Sequence, residues 1–76
     1  MQIKLLAFAQ SADRLGFRER LVECTPDDSP RTIVARIDPA FSTENLRVAV
    51  DEEYAAWDAP VGHAREIALI PPVSGG

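Results

Sequence analysis

Four places in the sequence carry residues that could do chemistry: the glycine pair Gly75-Gly76 with its carboxylate, Cys24, His63 and the acidic run Asp51-Glu52-Glu53. The glycine pair is the most suggestive, because Pro71-Pro72-Val73-Ser74 stands directly before it. Two prolines favour an extended polyproline backbone rising about 3.1 Å per residue, so residues 71–76 would reach roughly 19 Å. They also lower the ordering cost on capture, otherwise about 1–2 kcal/mol per backbone residue. Gly75 and Gly76 have no side chains, so a carboxylate at their tip can enter a channel too narrow for anything bulkier. Taken alone, the dipeptide also reads as a trailing chain end or a linker remnant. The strand and prolines before it favour a working tail.

The other three places are weaker. Cys24 is the sole cysteine, so it can form neither an internal disulfide nor a metal cluster by itself. It follows the β-like run Leu21-Val22-Glu23 and reads as a small buried thiol in preference to a reactive nucleophile. His63 has no partner at ligand spacing, so no metal site is expected and the residue reads as part of a loop. The run Asp51-Glu52-Glu53 is too short for an acidic tail and reads as a solvated turn.

Positioning these groups falls to a small body. Seventy-six residues make one domain, and a chain of this size buries only about 60% of the surface it exposes when unfolded. A single core fits; a deep enclosed catalytic cavity does not. Twelve acidic against eight basic residues give a formal charge of −4, with no basic run, which argues against a nucleic-acid partner. No apolar stretch approaches the roughly 20 residues that span a bilayer, and the N-terminus has no leader pattern, so no membrane role and a cytoplasmic location are expected.

Residues 2–10 read as a first strand with apolar residues on both parities, Ile3, Leu5 and Ala7 on one and Leu6 and Phe8 on the other, as if buried on both sides. Helix stays open there on periodicity alone. Ser11 to Gly16 reads as a connection, with Gly16 free to take positive φ. Residues 17–24 read as a second strand. Ser29 then caps a helix whose first position is Pro30, with Ile33, Val34 and Ile37 as its apolar stripe and Asp38-Pro39 as its stop. Leu46 to Val50 forms a third strand, Tyr54 to Trp57 a short edge segment, and Glu66 to Ile70 a last strand closed by the prolines. This order predicts an α+β fold, a mixed sheet packed on one main helix, with residues 1–70 as the domain and 71–76 as a flexible extended tail. The expected core is Ile3, Leu5, Leu21, Ile33, Ile37, Val48, Val50 and Ile67.

At this point the chain resembles a known family. Ile67-Ala68-Leu69-Ile70-Pro71-Pro72-Val73-Ser74-Gly75-Gly76 is similar to the C-terminal signature of molybdopterin synthase small subunits, sulfur carriers of the ubiquitin-like β-grasp type. Ile3 to Gln10 resembles the first strand of that family, and Val48 to Tyr54 its middle strand and turn. Departures fall at Ala12-Asp13, where the family usually has Arg-Glu, and at His63 to Glu66, where it commonly has Gly-Asp-Glu.

The resemblance implies a β-grasp fold and a reaction at Gly76. A ubiquitin-activating-type adenylating enzyme would join the Gly76 carboxylate to AMP from ATP, and a sulfurtransferase persulfide would then give a thiocarboxylate. That group would deliver sulfur to a pyranopterin precursor held by the large subunit of a heterotetrameric synthase, in molybdenum cofactor biosynthesis. Pro71, Pro72, Val73, Ser74 and Gly75 would insert with it, and Phe8, Leu69 and Ile70 would form an apolar docking surface beside the tail. No stably bound cofactor is implied, and the chain would be a co-substrate and subunit more than a catalyst. Thiamine-pathway sulfur carriers and ubiquitin-like protein modifiers share the fold and the glycine ending. A plain interaction module is the reading from a different class.

Overall fold

A computed structural model describes residues 1–72; Val73, Ser74, Gly75 and Gly76, with the expectations placed on them, lie outside the described residues. Five strands and two helices follow in the order β1 (Gln2–Ala7), α1 (Ala9–Leu15), β2 (Glu19–Glu23), α2 (Pro30–Ile37), β3 (Arg47–Val50), β4 (Glu53–Ala55) and β5 (Glu66–Ile70). The sheet order is β2-β1-β5-β3-β4. Strands β1 and β5 run parallel at its centre and every other pair is antiparallel, giving the expected mixed sheet.

The main helix starts where the sequence marks it. The Ser29 hydroxyl accepts the Thr32 N–H at 3.2 Å, and Pro30 occupies the first helical position. A side-chain cap of this kind satisfies a donor that the helix cannot pair internally. Upstream, the Asp28 carboxylate takes two hydrogen bonds from the Arg36 guanidinium, at 2.7 and 2.8 Å, and a third from the Thr25 N–H at 2.9 Å. The loop after β4 is tied to the same region by the Val61 and Gly62 N–H groups, which donate to the Asp28 and Pro26 carbonyls.

One face of the sheet and both helices enclose the core. Ile3, Leu5, Ile33, Val48, Ile67 and Leu69 are at most 1% exposed. Burying side chains of this size contributes about 1.5–3 kcal/mol each. Ile37 and Val50 pack against this cluster while keeping some exposure, and Cys24, Val34, Val61 and Ala64 complete it.

Several expectations need correcting. Strand β1 is not buried on both sides: Ile3, Leu5 and Ala7 face the core, whereas Lys4 and Phe8 are exposed. The chain leaves the strand after Ala7, and the expected connection from Ser11 to Gly16 is mostly helix α1, ended by Gly16 at φ 86°. This helix had no polar N-cap to announce it. Phe8 holds that position without a side-chain cap bond, and Ala9 follows at φ 49°. Leu21 is 59% exposed because its register partner is Lys4 on the outer face, so the core neighbour is Val22, paired with Ile3. Trp57 lies beyond β4, in a loop, where its indole N–H donates to the Leu46 carbonyl at 3.1 Å.

Candidate functional site

Strand β5 launches the tail from the middle of the sheet. Its final register pairs are Ala7 with Leu69 on one side and Arg47 with Ile70 on the other. Pro71 therefore leaves where β1 ends and β3 begins. Pro71 is partly buried and Pro72 exposed, the latter at the edge of a 300 Å³ hollow with Gln10, Arg14, Phe41 and Leu46.

The start of β5 is fixed by the β3–β4 turn. Asp51 and Glu52 both have positive φ, 49° and 70°, the conformation that lets two residues connect twisted antiparallel strands. Asp51 N–H donates to the Glu66 carbonyl at 3.0 Å. Its carboxylate accepts the N–H groups of Arg65 and Glu66 at 2.9 and 3.1 Å. The acidic turn thus holds the strand that carries the tail, a role beyond the solvated one expected for it.

On the face away from α2, register lines up Leu6, Ala68, Ala49 and Tyr54 across four strands. The two alanines form the floor of a trough. A concavity of 330 Å³ is bounded by Phe8, Ala49, Tyr54, Ala68 and Ile70, with Glu52 and Glu66 at its rim. Phe8 is 46% exposed and Tyr54 63%. The Arg47 guanidinium lies 3.9 Å from the centre of the Tyr54 ring. Such a contact contributes about 0.5–1 kcal/mol at an exposed site and holds a cation beside Ile70.

Of the residues expected to dock a partner, Phe8 and Ile70 come together on this concavity. Leu69 does not. It is fully buried, because successive side chains of a strand face opposite ways and Leu69 takes the core side with Ile67. Arg47, Ala49, Tyr54 and Ala68 belong to the surface and were not singled out from the sequence. The alternation of Leu46 to Val50 held the signal, since Val48 and Val50 turn to the core side and so place Arg47 and Ala49 on the opposite face.

The remaining reactive groups stand apart. Cys24 is 6% exposed, and burial pushes its thiol above the ordinary range, which leaves little thiolate to react. His63 is exposed. Among the described residues no cluster of three or more His, Cys, Asp or Glu side chains could hold a metal ion, and no helix is long and apolar enough to cross a membrane.

Comparison with known proteins agrees with this architecture. The chain is 31% identical, over 81 aligned residues, to the molybdopterin synthase sulfur carrier subunit of Arabidopsis thaliana, covering all of this chain and 84% of that protein. The structure superposes on SAMP1 from Haloferax volcanii with a TM-score of 0.75 at 24% identity, over the whole of both chains. It superposes on the ubiquitin of Caldiarchaeum subterraneum with a TM-score of 0.62 at 17% identity, over all of this chain and 98% of that one. These two likenesses place the fold among ubiquitin-like β-grasp domains. The ThiS family matches residues 5–76, from inside β1 to Gly76, and the chain belongs to that family.

Proposed function

We propose that this chain is the sulfur carrier and small subunit of a molybdopterin synthase, working through the carboxylate of Gly76. The observation that carries the reading is the whole-chain similarity to a protein of that name. The Pro71-Pro72-Val73-Ser74-Gly75-Gly76 ending supplies the chemistry.

A carboxylate resists substitution because its leaving group would be oxide. A partner adenylating enzyme would convert it to an acyl adenylate, with ATP supplying AMP and releasing pyrophosphate. A persulfide sulfur then attacks the acyl carbon and AMP departs. Reductive cleavage of the resulting acyl disulfide by a thiol leaves the thiocarboxylate. Ionised at neutral pH, its sulfur attacks an electrophilic carbon of the pyranopterin precursor as a carbon–oxygen bond there breaks. Water then hydrolyses the resulting thioester, leaving the sulfur on the pterin and returning Gly76 to the carboxylate. The chain supplies nucleophile and reach; the large subunit supplies the site in which the two reactants are held together.

Phe8 and Ile70, beside the exit of the tail, are the proposed docking contacts for the large subunit. Leu69 supports them from inside.

Tail length tests the reading. Deleting Gly76 shortens the reach by about 3 Å, and adding one residue moves the carboxylate out by as much. Both should abolish product formation with the large subunit while leaving Tm unchanged, since misplacement near 1 Å already costs about 100-fold. Product formation near the parental level by either variant would rule the carrier mechanism out. A thiamine-pathway carrier or a protein modifier would also need Gly76. What separates them is the acceptor: pyranopterin product with the large subunit favours the present reading, and an isopeptide bond to a lysine would replace it by the modifier.

A further inference from the structure

The second feature that invites a partner is the free edge of β2, away from the tail. Among the described residues, β2 ends the sheet order and pairs only with β1. The backbone groups it leaves open can be identified. Ala7 N–H donates to the Arg18 carbonyl and Cys24 N–H to the Met1 carbonyl, each at 2.9 Å. In an antiparallel ladder, residues alternate between bonding the partner strand and facing away from it. Even-numbered residues of β2 therefore turn their polar groups toward β1, and Glu19, Leu21 and Glu23 turn theirs to the open edge.

The two sides of this edge differ. On the core side, a groove of 410 Å³ separates β2 from α2, with Val22, Ile33 and Ile37 as apolar lining, Arg20 and Arg36 as its cations, and Leu21 and Glu23 also bordering it from β2. Asp28 already holds Arg36, whereas Arg20 lies against the Phe17 ring and, among the described residues, has no carboxylate partner, so it is the groove cation open to a ligand. On the opposite side Leu21 is exposed, between Glu19 and Glu23.

This pattern selects among occupants. A second copy pairing antiparallel about Leu21 would set Glu19 against Glu23 twice, and like charges directly opposite one another destabilise a ladder. Charged residues on an edge strand commonly deter such self-association. They do not deter a strand of complementary charge.

We propose that the β2 edge captures an extended segment of another protein, running antiparallel, with the order basic, apolar, apolar, acidic, basic. Its basic residues oppose Glu23 and Glu19, its apolar residues oppose Val22 and Leu21, and its acidic residue opposes Arg20. Main-chain bonds to Glu19, Leu21 and Glu23 supply affinity, and the alternating side chains supply selectivity. The site is independent of Gly76 and of the sulfur-carrier reading.

The test uses two blocked peptides, Thr-Lys-Val-Val-Glu-Lys-Thr and its charge reversal Thr-Glu-Val-Val-Lys-Glu-Thr, titrated into isotopically labelled full-length chain at low salt. The first should bind saturably, shift the amide signals of Glu19, Leu21 and Glu23, and slow their hydrogen exchange. The reversed peptide should bind at least about tenfold more weakly, on the scale of like-charge pairs placed directly opposite in a ladder. A chain carrying Glu19→Lys, Arg20→Glu and Glu23→Lys should invert that preference; should it fail to fold, the parent's preference decides alone. Equal affinity for the two peptides overturns the proposal, as does the absence of saturable binding at millimolar peptide. Shifts centred on Ala49, Ala68 and Ile70 would move the ligand to the trough. A concentration-dependent dimer that protects Leu21 would make the occupant a second copy and overturn it as well.

Discussion

Along β5, Ile67 and Leu69 point into the core and keep no exposed surface, whereas Ala68 and Ile70 point to the open side of the sheet and keep part of theirs. The same division runs through β1, where Ile3 and Leu5 are buried and Lys4 and Phe8 are exposed. The fully buried strand side chains, Ile3, Leu5, Val48, Ile67 and Leu69, all lie on one face of the sheet. The other face keeps Lys4 and Phe8 exposed and Ala68 and Ile70 half-buried. The difference separates two kinds of substitution that lie one residue apart in sequence.

Leu69→Ala and Ile70→Ala offer the strongest way to break that comparison. Removing the buried Leu69 side chain should cost about 2–5 kcal/mol, a large fraction of the stability of a domain this size. Thermal melting should fall by roughly 10–30 °C or disappear. Ile70→Ala should lower Tm by far less. Equal losses would mean that the two faces are not separate.

Phe8→Ala probes the open face next. Truncating an aromatic anchor in an interface costs about 2 kcal/mol, or roughly 30-fold in affinity. Calorimetric titration with a molybdopterin synthase large subunit should show that weakening, while Tm moves by only a few degrees. Unchanged binding in a folded variant would remove Phe8 from the interface.

Ser29→Ala sharpens the comparison from the other side. Loss of the α2 cap should cost about 1 kcal/mol, read from the denaturation midpoint. Affinity for the large subunit should stay at the parental value, because the cap lies behind the sheet.

The smallest expected effect is electrostatic. The Arg36 guanidinium, with help from the Thr25 N–H, holds the Asp28 carboxyl below its usual range. A carboxylate whose folded pKa is depressed adds stability above its unfolded value, near 3.9, and loses it as pH falls through the folded value. Acid titration of Tm should therefore fall slightly more steeply below about pH 4 in the parent than in Asp28→Asn. Arg36 is half exposed, so salt should shrink the difference.

What could be read from the sequence follows the strength of local signals. Ser29-Pro30 marked the start of α2, and Glu66 to Ile70 before two prolines marked β5, because cap, proline and apolar run agree there. Helix α1 was hidden: seven residues with no polar cap and a positive φ at Ala9 carry no start signal. Leu21 and Val22 are adjacent and both apolar, so only pairing with β1 decides which enters the core. Val61 and Ala64 reach the core from a loop, where periodicity has nothing to report. At the candidate site, Phe8 and Ile70 stood out by type, whereas Ala49 and Ala68 matter by being small on the correct face. Register, which the sequence does not state, makes their trough.

The most direct measurement of the central claim is the intact mass of the full-length chain after incubation with ATP, an adenylating enzyme, a persulfide donor and a thiol reductant. The expected result is a gain equal to one oxygen-to-sulfur exchange, located in the C-terminal peptide at Gly76, dependent on ATP and absent from a chain extended by one residue. An unchanged mass with a partner system that converts a known carrier, or the same gain in the extended chain, would contradict it.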